Sequence, residues 1–68
     1  MKNWVKVFED DQLVRAEIVK GVLIQNEIPA VVLNKKESAY QVFGTYEVHV
    51  NRENVLSASN LIKNEISF

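Results

Sequence analysis

Apolar and polar positions alternate with changing period along this chain, and each change marks an element. From Trp4 to Glu9 the period is two, with Val5 and Val7 on one face and Trp4, Lys6 and Phe8 on the other, which predicts a strand. Asp10 and Asp11 then offer side-chain oxygens and negative charge suited to the start of a helix. The helix is expected over Gln12 to about Asn26, where Ala16, Val19 and Leu23 form one apolar stripe. Val14, Ile18 and Val22 form a second stripe beside it, expected to pack against a neighbouring helix. Gly21 within this helix predicts a close helix contact, because glycine costs a helix about 1 kcal/mol. Pro29 pushes Ile28 away from the helical region and ends the element.

Ala30 to Asn34 reads as a short, continuously apolar strand. Thr45 to Asn51 alternates again, with Tyr46, Val48 and Val50 facing one way and Glu47 and His49 the other. Asn51 is placed to cap a second helix over Arg52 to about Asn64, whose apolar positions are Val55, Ala58, Ile62 and Ile66, with Leu61 alongside. Glu65 to Phe68 either frays or adds a short edge strand.

The order is β-α-β-β-α, with room for a C-terminal strand. A right-handed crossover makes the first two strands parallel, and the hairpin return inserts the third between them. The expected fold class is α+β, a ferredoxin-like two-layer sandwich forming a single domain over residues 1–68. Val5, Val7, Tyr46, Val48 and Val50 would face the helices. Trp4, Lys6, Phe8, Glu47 and His49 would line the uncovered face, where two large aromatic rings predict a covering partner.

Composition narrows the function classes. A chain of 68 residues holds one modest core, and chains of about 60 bury only roughly 60% of their unfolded surface. Hydrophobic residues at 47% and charged residues at 25% match an ordinary globular protein. A net charge of −1 gives no footprint for nucleic acid or an acidic membrane. Cysteine is absent, which removes disulfides and thiolate metal sites. Acidic residues arrive too soon after Met1 for a signal peptide, and no apolar run nears the ~20 residues of a membrane span. The expected location is cytoplasmic.

Asn34 to Gly44 is longer than the about 2–5 residues a hairpin loop usually takes, and it concentrates the candidate chemistry. As a recognition surface it would use Asn34, the charges of Lys35 and Lys36, the hydroxyls of Ser38 and Tyr40, and Phe43 as an apolar anchor. As an extended hairpin, Lys36-Glu37-Ser38 would turn, Tyr40, Val42 and Phe43 would prolong the strand, and Gly44 would mark a bulge. Glu47 and His49 share a strand face and could exchange a proton. No nucleophile motif, second histidine or cysteine accompanies them, so a cross-strand contact of His49 with Lys6 or Trp4 is the simpler account. No metal and no cofactor is expected.

The opening Trp4-Val5-Lys6-Val7, the helix segment Ala16-Glu17-Ile18-Val19-Lys20-Gly21-Val22-Leu23, and the run Ile28-Pro29-Ala30-Val31-Val32 form a familiar set. With Asn34 to Tyr40, Phe43-Gly44 and Tyr46-Glu47-Val48-His49-Val50, the chain resembles a small bacterial family named as putative prokaryotic signal-transducing proteins, a domain of unknown function. The resemblance implies a GlnB-like (PII-like) fold, in which a long loop between the second and third strands engages partners. By position that loop is residues 34–44. This chain lacks the PII nucleotide-binding motifs, so ATP binding is not implied.

Two functions are expected to compete. The first is a regulatory module without catalysis, binding a protein or small ligand through 34–44 and forming a homo-oligomer through Trp4, Phe8 and His49. The second is a small enzyme or ligand-processing subunit using Glu47, His49 and the loop hydroxyls. Neither nucleic acid nor membrane is an expected partner.

Overall fold

A computed structural model describes residues 3–35 and 44–68. Its elements are β1 (Trp4–Asp10), α1 (Leu13–Gln25), β2 (Ala30–Asn34), β3 (Tyr46–Asn51) and α2 (Val55–Glu65), the last entered through a 3₁₀ turn at Arg52–Asn54. The sheet is three-stranded in the order β1-β3-β2, with β3 antiparallel to both neighbours. Buried residues of both helices share one cluster with Val48 and Val50, so the helices cover the same sheet face. The result is a small α+β two-layer sandwich, with the strand order that the alternation implied.

The core follows the periods. Ala16, Val19 and Leu23 of α1 are fully buried, as are Val48 and Val50 of β3 and Ala58 of α2; Ile28 and Ala30 complete the set. Val55, Leu61, Ile62 and Ile66 pack around it. Removing a buried leucine such as Leu23 typically costs about 2–5 kcal/mol, a large share of what so small a domain has.

Strand β1 departs from simple alternation. Val5 pairs with Val50 and Lys6 with His49, but Phe8, not Val7, pairs with Val48. Val7 is the extra residue of a β-bulge, and the slip turns Phe8 toward the helices. Val7 and Phe8 both pack against the core. Phe8 therefore does not lie beside Trp4 on the uncovered face, because one inserted residue reverses the side-chain parity after it. The Phe68 ring meets Phe8 edge-on at 6.2 Å between centroids, and the Arg15 guanidinium sits 5.2 Å from the Phe68 ring centre. Ile66–Phe68 thus form no strand. Ile66 N–H closes on Ile62 O at 3.0 Å, and the tail packs on the end of β1.

The helix ends differ from the expected caps. Asp10 Oδ1 accepts from the Gln12 N–H at 2.8 Å, closing a turn one step before the helix, and Asp10 Oδ2 lies 3.4 Å from Arg15 Nη1. Asn51 makes no side-chain cap; it ends β3, and the Arg52 N–H donates to Asn3 O at 2.8 Å. At the far end of α1, Ile28 N–H donates to Leu23 O at 2.9 Å and Glu27 N–H to Ile24 O at 3.0 Å. This is a Schellman closure, with buried Ile28 against buried Leu23 as its apolar contact. It requires a left-handed residue, and Glu27 fills that place at φ 65°.

The second stripe of α1 lies largely outside the core, with Val22 alone partly buried. Val14 is 60% exposed and Ile18 45% exposed, because the Ala16/Val19/Leu23 stripe takes the inward side. Gly21 is exposed as well, and a Cβ built there meets no atom within 4 Å among the described residues, so no close contact among them explains it. Two substitutions should therefore stabilise the fold. Gly21→Ala removes a helix penalty, and Glu27→Gly removes the left-handed one, each by about 0.5–1 kcal/mol. Thermal midpoints should rise by roughly 4–8 °C per kcal/mol in a domain of this size. A fall in midpoint for Gly21→Ala would mean that a packing partner approaches there.

Candidate functional site

Because β3 is the central strand, the residues alternating with its buried valines are forced onto the uncovered face. They are Glu47, His49 and Asn51, joined by their register partners on both sides. Trp4 stands opposite Asn51, Lys6 and Val31 opposite His49, and Glu9 and Leu33 opposite Glu47. The face is thus a polar row down the centre with Trp4 at one end and Val31 and Leu33 along one side.

Two hydrogen-bonded groups organise this row. His49 Nε2 lies 2.9 Å from Glu47 Oε1, and the two side chains are only 14% and 18% exposed. A carboxylate has only acceptors to offer, so Nε2 carries the proton and donates it. His49 Nδ1 is buried and has no hydrogen-bond partner among the described residues. In the second group the Thr45 hydroxyl donates to Glu9 Oε2 at 3.0 Å, while Lys6 Nζ sits 3.2 Å from Glu9 Oε1. The Thr45 hydrogen bond, followed by that from Lys6, holds the Glu9 carboxyl below its ordinary value.

His49 therefore bonds along its own strand. Lys6 is its register partner, as the cross-strand reading supposed, yet the ammonium turns to Glu9. The imidazole and carboxylate could hold or pass a proton, but the one hydroxyl within this row among the described residues, on Thr45, is committed to Glu9. Among the described residues no three His, Asp or Glu side chains gather as metal ligands.

The segment 34–44 is described at its two ends. Asn34 closes β2 and Lys35 extends the ladder, its N–H donating to Thr45 O at 2.9 Å; both are exposed. Gly44 has φ 98°, a conformation that suits glycine and few others. Lys36, Ser38, Tyr40 and Phe43 lie outside the described residues. Trp4 and His49 keep their expected face, whereas Phe8 leaves it. Val31, Leu33, Glu9 and Thr45 join the face unforeseen: an unbroken apolar run gives no parity for β2, and Thr45 and Glu9 are 36 residues apart.

A family model described as "Putative prokaryotic signal transducing protein" matches residues 4–66. The chain belongs to that family. The match spans every element, from Trp4 on the open face to Ile66 at the end of the core. No curated protein and no solved structure matches the chain significantly. The signal-transducing family name implies protein partners, and no helix among the described residues is long and apolar enough to cross a membrane.

The hydrogen-bonded carboxylates set an expected acid response. Glu9 and Asp10 both titrate below their ordinary values of 4.5 and 3.8, Asp10 chiefly through the Gln12 N–H. The folded state thus binds their protons less readily than the unfolded state. Their contribution is present above those ordinary values and is lost as pH falls through the lower folded ones. In melts between pH 6 and 2, Glu9→Gln with Asp10→Asn should lose stability at pH 6 and flatten the acid limb. An unchanged acid limb would show that neither hydrogen bond matters.

Proposed function

We propose that this chain is a regulatory module without catalytic activity that acts by contact, through its uncovered sheet face and the adjoining 34–44 segment. The observation that carries the reading is the face itself. Trp4, Val31 and Leu33 border a partly buried His49–Glu47 pair, and neither helix covers that side. A tryptophan and aliphatic side chains flanking fixed polar groups is the composition of a protein contact surface. The family name supports signalling, and a GlnB-like placement would put contact at the same end of the molecule, beside Asn34 and Gly44. Lys35, Lys36, Ser38, Tyr40 and Phe43 are the residues assigned to contact there, with Asn34 shaping the turn. Self-association belongs to this reading, with Trp4 and His49 retained and Phe8 withdrawn. The module is assigned to the bacterial cytoplasm, with a protein or small-molecule partner.

The catalytic alternative has one observation in its favour, the 2.9 Å bond between His49 and Glu47. Against it stands the absence of a free nucleophile beside the pair among the described residues.

Trp4 is the chain's one tryptophan, so its emission reports directly on the face. Proteins retained from a cell extract by the immobilised chain should, once purified, shift that emission on titration. Leu33→Glu should weaken binding about tenfold or more with the fold intact by circular dichroism, since it buries an unpaired charge in the contact. Partner affinity indifferent to both Leu33→Glu and Lys35→Glu would sink the contact reading. Turnover of any substrate abolished by His49→Ala in a folded chain would instead establish the enzyme.

A further inference from the structure

The two edges of this sheet are built differently. β1 carries the bulge at Val7 and the charges of Lys6, Glu9 and Asp10, features that discourage another strand from pairing. β2 carries none of them. It pairs with β3 in unbroken register, and Ala30-Val31-Val32-Leu33 holds no charge and no proline. The ladder geometry fixes which groups this edge presents. Residues of an antiparallel pair alternate between hydrogen-bonded and non-bonded positions. Lys35 donates to Thr45, so Lys35, Leu33 and Val31 turn their backbone toward β3. Val32, between them, must point its N–H and C=O away from the sheet.

We propose that the β2 edge is a self-pairing surface: two copies join β2 to β2 antiparallel about a two-fold axis at Val32, making one six-stranded sheet. This rests on the self-association in the reading above but moves it from the Trp4 and His49 face to the opposite sheet edge, where Trp4 takes no part. With the axis at Val32, the Val32 N–H of each copy meets the Val32 carbonyl of the other, and both outward groups are satisfied at once. Val31 of one copy then stands opposite Leu33 of the second, at the close non-bonded position, with both side chains on the open face. The absence of charge matters for a second copy in particular, because self-pairing sets like against like and here brings no repulsion. The nearest charges are complementary. Lys35 of the second copy falls opposite Pro29, beside an open apolar hollow lined by Ile24, Ile28, Pro29 and Ala30 with Glu27 at its rim. The axis runs through the sheet, so the helices of both copies share one side and the two His49 faces merge into a single surface.

Sedimentation velocity across rising concentration, paired with amide exchange at Val32, tests this. The wild-type chain should dimerise, and Val32 N–H should gain protection in step with the dimer. Val31→Lys with Leu33→Lys sets lysine against lysine and should weaken association about tenfold or more. Val31→Glu with Leu33→Lys sets opposite charges together and should retain it. A dimer surviving the double-lysine change while Val32 exchanges freely would overturn the proposal and leave self-association to another surface. A strict monomer at every concentration would overturn it too, without touching partner binding by the open face. Were either variant unfolded, the Val32 exchange of the wild-type chain still decides.

Discussion

Strand β3 is the one element with neighbours on both sides, and its alternation divides the molecule. Val48 and Val50 enter the core, and Glu47, His49 and Asn51 must therefore go the other way. The fold and the candidate site are two faces of six residues. A slip of one position in either ladder would bury the histidine pair and expose both valines, so the buried valines hold the register on which the polar row depends.

That dependence explains what the sequence made legible. The Ala16/Val19/Leu23 stripe and the alternation of Tyr46 to Val50 are strong periodic signals backed by burial, and they fix the layers and the strand order. The Val7 bulge left no signal in the chain. An alternating run looks the same whether or not one residue is squeezed out, and only pairing with β3 shows that Phe8 belongs inside. Val31 and Leu33 were hidden for a related reason, since Ala30 to Leu33 is apolar on both faces. The second stripe of α1 misled in the opposite sense. Val14 and Ile18 have helical spacing, but spacing shows that residues share a side, not that anything covers it.

The bulge also links core and edge. By turning Phe8 inward it supplies an aromatic surface for Phe68, with Arg15 on that ring and Asp10 on Arg15. The start of α1, the end of the chain and the bulged strand are tied at one corner. The same distortion spoils β1 as a template for another strand. One inserted residue thus adds packing at the corner and protects an edge.

Size leaves the rest of the surface to be accounted for. Among the described residues, two short helices cover one side of a three-stranded sheet and no element lies over the other. A purely structural face would favour residues content in water. This one instead holds Trp4, Val31 and Leu33 around a histidine whose Nδ1 has no partner among the described residues, and burying such an atom costs about 1–3 kcal/mol when nothing answers it. A group that hydrogen-bonds Nδ1 would recover that cost. The register that buries the core valines is thus also what places this unpartnered atom on the other face.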